Sequence, residues 1–170
     1  MILNTRHFGE IAIREEEIIT FEEGLPGFEN AKKFAILDTC APGEEEDESP
    51  FKWLQCVDDP MLAFAIANPF VFRSDYDIEL NDETIEILGI EKESDVVLYA
   101  ITVVPEDIKK TSINLKAPLV INLKNKKGMQ VILDTNKYGV RHYIMDEIAK
   151  QEVRANASSD KKKRPVYCSR

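Results

Sequence analysis

Residues 96–104 read VVLYAITVV, a run of β-branched, aromatic and aliphatic side chains broken only by Thr102. A strand with one wet face alternates polar and apolar residues, so a run without alternation predicts a strand covered on both faces. The stretch falls well short of the roughly 20 apolar residues that a membrane-spanning helix needs. It therefore reads as the central strand of a water-excluding core.

Working outward, similar short segments recur along the chain: IAI (11–13), IITF (18–21), FAIL (34–37), FKWLQCV (51–57), LAFAIA (62–67), YDIEL (76–80), LVINL (119–123) and MQVIL (129–133). Many short strands at even spacing predict a sandwich or barrel. In YDIEL, Tyr76, Ile78 and Leu80 share one face and Asp77 and Glu79 the other, which predicts a strand with one wet face. NLKNKKGMQVIL reads as a hairpin with Gly128 supplying a positive φ and lysines 124, 126 and 127 at its tip. Asn81 is placed to cap a short helix over NDETIEIL that stops at Gly89. PEDIKK (105–110) suits another helical turn with Pro105 in first position, and RHYIMDEIAKQEVRA carries helical spacing at Ile144 and Ile148. The expected fold is mainly β: a small antiparallel barrel-like single domain over 1–150 with one to three short helices, followed by a flexible basic tail over 151–170. Ile101, Val103 and Cys56 are expected in the core.

The length of 170 residues suits one domain without disulfide or metal support. Three cysteines without C-x-x-C spacing suggest neither a disulfide framework nor a zinc cluster. The N-terminus lacks the pattern of a signal peptide, so a cytoplasmic location is expected. Charge is divided unevenly. Residues 1–150 hold 16 Lys and Arg against 29 Asp and Glu, giving −13, whereas 151–170 hold 6 against 2, giving +4. A body of that sign attracts basic proteins and repels phosphate backbones. The acids of APGEEEDESP (41–50) are expected in a loop between strands.

A search for chemistry finds little. His7 and His142 belong to no metal-ligand motif, and no nucleophile elbow, P-loop or dinucleotide fingerprint is present. No catalytic residue, metal or cofactor is expected. KKKR (161–164) could neutralise a few phosphates, but the acidic body opposes nucleic-acid binding. A small barrel enzyme and a nucleic-acid binder acting through the tail are the alternatives to a protein-binding role.

The segment FEEGLPGFEN (21–30) is too apolar for a solvated loop and too broken for a helix. It supports two readings. In one, Gly24 and Gly27 take unusual backbone angles, Pro26 stiffens the turn and Phe28 plugs the core at a barrel corner. In the other, Leu25 and Phe28 form an apolar anchor rimmed by Glu22, Glu23 and Glu29, as in an interface hot spot. Gln55 either satisfies a buried backbone group or faces a partner, Trp53 suits the core, and Asn68 and Pro69 end a strand. Asn114 and Lys116 flank an expected sheet edge where a partner's strand or an amphipathic helix could dock, although closing the barrel is served equally.

Taken together and in order, FEEGLPGFE, PFKWLQC, LAFAIANPF, NLKAPLVINLK, GMQVIL and YGVRHYI resemble the flagellar assembly factor family, FliW, from Ile2 to about Ile148. The resemblance implies a non-enzymatic barrel-like protein of the bacterial cytoplasm with two alternative partners. One is flagellin. The other is the RNA-binding carbon storage regulator CsrA, which represses flagellin translation until this factor binds it. The residues proposed for partner contact are Leu25, Pro26, Phe28, Glu29, Gln55, Asn68, Asn114 and Lys116, with no direct nucleic-acid or membrane contact expected.

Overall fold

The structure, a computed structural model, describes residues 1–39 and 49–157. Most of the acidic stretch 41–50 and the tail from 158 onward lie outside the described residues. The described residues form eleven strands: β1 (Ile2–Thr5), β2 (Gly9–Ala12), β3 (Ile18–Thr20), β4 (Lys33–Asp38), β5 (Phe51–Cys56), β6 (Ala63–Ala67), β7 (Val96–Val103), β8 (Ser112–Ile113), β9 (Leu119–Asn122), β10 (Lys127–Gln130) and β11 (His142–Tyr143). Neighbours β3 to β7 follow one another as antiparallel pairs, β7 pairs with β9, β9 with β10, and β10 returns to β3 in parallel. Seven strands thus close a barrel, which removes sheet edges from its wall.

Residues 96–102 of the stretch are covered on both faces, as expected, whereas Val103 and Val104 are exposed. Along β7, Val96, Leu98 and Ala100 point outward into one buried cluster, while Val97, Tyr99 and Ile101 point into the barrel. The barrel interior is filled by Ile19, Phe21, Leu25, Phe34, Leu54, Cys56, Ile66, Leu119 and Ile121. The outer cluster lies beneath segments 69–90 and 133–144, with Tyr76, Leu88, Leu115 and Tyr138 at its centre. A third, smaller cluster holds the β1–β2 hairpin, Leu3 and Ile13 packing against Ala35 of β4. Val103, expected in the core, is 61% exposed, because it stands beyond the last residue that the barrel interior reaches.

Two turns differ from expectation for steric reasons. Gly128 has no positive φ; the left-handed residue of the β9–β10 turn is Lys126, at φ 59°. A Cβ on Gly128 would meet the Phe21 ring at 2.7 Å. The glycine therefore makes room for an interior aromatic instead of bending the chain. YDIEL alternates as read, with Tyr76, Ile78 and Leu80 buried, yet forms no named strand. Tyr76 donates its hydroxyl to the Leu115 carbonyl at 2.7 Å, a side-chain bond that ties this segment to the connection between β8 and β9.

The helices are α1 (Pro69–Phe72), α2 (Asp82–Leu88) and α3 (Ile144–Ala157). Asn68 and Asn81 cap α1 and α2, accepting from the N–H groups of Phe70 at 3.0 Å and Thr84 at 2.8 Å. In 105–110 only Ile108–Lys110 is helical, as a 3₁₀ turn capped by Asp107, so Pro105 does not start it. The boundary expected at 150 falls inside α3, which continues to Ala157. Its buried Glu147 accepts a hydrogen bond from His142 Nδ1 at 2.9 Å, while His142 Nε2 accepts the Gly139 N–H at 2.8 Å. His142 is thus a structural link between α3 and the preceding segment.

Candidate functional site

The loop from Phe21 to Lys32 closes one mouth of the barrel. Its ends are drawn together by Phe21 N–H donating to the Lys32 carbonyl at 2.7 Å, and its tip by Phe28 N–H donating to the Leu25 carbonyl at 2.7 Å. Gly24 has φ +66°, and a Cβ there would lie 2.7 Å from backbone atoms of Phe28 and Glu29. Only glycine allows the chain to double back this closely. The fold separates the two large apolar residues of this loop by burial. Leu25 is 2% exposed and belongs to the interior, whereas Phe28 is 43% exposed and meets the half-buried Phe64 edge-on at 5.2 Å. Leu25 anchors the loop; Pro26, Phe28 and Glu29 are presented to solvent.

The remaining candidates divide likewise. Gln55 is buried, and its amide Nε2 lies 3.1–3.2 Å from the carbonyl oxygens of Cys56, Asp59, Pro60 and Leu62. It satisfies the tight β5–β6 turn, which accounts for a polar residue in an apolar strand. Asn68 is exposed but occupied as a helix cap. Asn114 Oδ1 accepts the N–H groups of Lys116 and Ala117, both at 3.1 Å. Lys116 also donates its N–H to the Gly139 carbonyl at 3.0 Å and accepts the Leu133 N–H at 2.8 Å, so the edge expected there is covered by segment 133–139. Trp53 is half-buried on the outer wall, with His7 stacked on it at 3.8 Å. Burial, and then the neighbouring Arg6 charge, lower the His7 pKa from 6.5.

What the residues alone did not show is a cleft of about 550 Å³ between this loop, α2 and β10. Ile87, Met129 and Ile132 give it apolar walls, and Ile132 is 70% exposed. Glu22, Glu23 and Glu29 stand on the loop side, and Lys127 on β10 reaches Glu22 at 3.3 Å. The N–H groups of Glu29 and Gly27 hold the Glu29 carboxyl below the usual carboxylate range, so it stays ionised. The far wall is fixed by Asn122 and Asn125, whose side-chain amides donate to the Leu88 carbonyl at 2.9 and 2.8 Å. Across the loop a smaller cleft of about 330 Å³ is lined by Phe28, Glu29, Asp58, Asp59 and Leu62. Ile87, Met129 and Ile132 lie far apart in sequence from the loop, so no local pattern joins them to it.

Among the described residues no group of three or more His, Cys, Asp or Glu is placed to hold a metal ion, and none of their helices is long and apolar enough to cross a membrane. The class that the fold defines is a small closed barrel whose mouth loop walls an acidic-rimmed, apolar cleft. The FliW protein family model matches residues 2–144. A flagellar assembly factor FliW of Ruminiclostridium cellulolyticum is 51% identical over 153 residues, covering 90% of this chain and all of that protein. One from Alkaliphilus metalliredigens is 48% identical over 159 residues, covering 94% and 95%. A crystal structure of the flagellar assembly factor FliW superposes with a TM-score of 0.77 at 39% identity, covering 85% of this chain and 96% of that one. The chain belongs to the FliW family of flagellar assembly factors.

Proposed function

We propose that this flagellar assembly factor acts in the cytoplasm, without covalent chemistry, by binding flagellin and, alternatively, the RNA-binding carbon storage regulator CsrA. Binding the regulator would relieve its repression of flagellin translation, so that flagellin synthesis follows filament assembly. The observation that carries this reading is the barrel mouth, where Glu22, Glu23 and Glu29 surround apolar surface. An RNA-binding regulator must present cations to phosphates, and the −13 charge of residues 1–150 favours encounter with such a surface while disfavouring RNA. Of the residues proposed for contact, Pro26, Phe28 and Glu29 are exposed together at the barrel mouth, which supports that role. Leu25 and Gln55 support it indirectly, by holding the loop and the adjoining turn in place.

Purified protein immobilised and offered flagellin and the regulator, singly and with an excess of the other, tests the reading. Each should be retained alone and displaced by its rival. Regulator binding should weaken steeply as salt is raised, since exposed charge pairs are screened beyond about 10 Å at 0.1 M salt. Retention of neither partner would end the proposal, and salt-independent retention would remove the electrostatic part of it.

A further inference from the structure

We infer that the cleft between the 21–32 loop, α2 and β10 takes a basic segment of a partner protein, and that Lys127 occupies the place of the partner's cation until it arrives. The inference rests on the reading of this chain as a protein-binding factor and assigns the chemistry of one of its sites. Among the described residues lining the cleft Lys127 alone is basic, against the three carboxylates of Glu22, Glu23 and Glu29. Its ammonium is 3.3 Å from Glu22, with both side chains about half exposed. An exposed pair of this kind contributes little to stability, but it neutralises the carboxylate that a docking cation would meet first.

Beyond the charges, Ile132 at 70% exposure and the half-buried Met129 offer apolar surface in the same cleft. An arginine or lysine stem can lie along such surface while its charged head stays at the rim. The fitting occupant is therefore a segment carrying Arg or Lys beside an aliphatic residue. Binding exchanges the internal pair Lys127–Glu22 for an intermolecular one and leaves Lys127 in water. This makes Lys127 a competitor of the ligand, with an unusual sign: its removal strengthens binding.

The probe is a short synthetic peptide of alternating arginine and leucine, set against the same peptide with glutamate for arginine, titrated into the full chain at low salt while backbone amide shifts are followed. The arginine peptide is expected to shift Gly24, Met129 and Gln130, and the glutamate peptide to shift none of them. Lys127→Met should tighten the arginine peptide about two- to fivefold, Glu22→Gln should weaken it severalfold, and Lys127→Met should gain clearly less in the Glu22→Gln background, the signature of two residues coupled through one contact. Unchanged or weaker binding by Lys127→Met, or shifts confined to other surfaces, overturns the inference. A peptide that binds the cleft as described while flagellin and the regulator are both ignored would sink the proposed function and leave this inference standing.

Discussion

Leu25 and Phe28 are three residues apart on one loop and sit in different physical worlds. Leu25 is inside the barrel, where its apolar surface is removed from water. Phe28 lies on the rim with an open face and one aromatic neighbour. Both residues are large and apolar, so hydrophobicity does not separate them. The separation comes from the turn between them, where Gly27 at φ 85° and the Phe28 N–H to Leu25 carbonyl bond fold the chain back on itself. The inner side of that turn is packed in the core, and the outer side is open to solvent.

The sharpest way to break this contrast is Leu25→Ala, which should cost about 2–5 kcal/mol in chemical denaturation, as for other leucines removed from packed cores. A loss below about 1 kcal/mol would show that Leu25 is not part of the frame. Gln55→Ala should follow at about 1–3 kcal/mol, because the carbonyls around the β5–β6 turn lose their shared donor. Gly128→Ala should cost about 1–3 kcal/mol by driving a methyl into the Phe21 ring, and Phe21→Leu in the same chain should recover part of it if the clash is the cause. Phe28→Ala should lower stability by only about 1 kcal/mol, the scale of one aromatic pair, yet weaken partner retention. A variant of Phe28 that unfolds while Leu25→Ala does not would invert the comparison.

The smallest expected effect is a titration. Trp53 is the single tryptophan, and His7 lies against it. His7 is held more neutral in the fold than in the unfolded chain. A lowered histidine pKa stabilises the fold above pH 6.5 and loses that contribution as pH falls through the folded value. Trp53 emission should therefore change with a midpoint below 6.5, and His7→Ala should abolish the step.

Much of the scaffold was legible before any coordinates. VVLYAITVV declares its two covered faces by lacking alternation, YDIEL declares one wet face by having it, and Asn81 with Gly89 marks both ends of α2. Each of these signals is local, arising from side-chain periodicity or from the backbone geometry of a few residues. The errors were tertiary. Gly128 carried the composition of a turn residue, but the Phe21 ring across the barrel explains it. Val103 continued an apolar strand, but the interior ends before it.

By itself, then, the sequence determined that this protein is a β-rich body of strong negative charge with a glycine-punctuated apolar loop near its start, because strand periodicity, turn chemistry and charge are written in neighbouring residues. Tertiary structure alone decided that the loop buries Leu25 and presents Phe28, and that Ile87, Met129 and Ile132 meet it across a cleft. Closing seven strands into a barrel is what joins residues a hundred positions apart, and no local pattern along the chain encodes that closure.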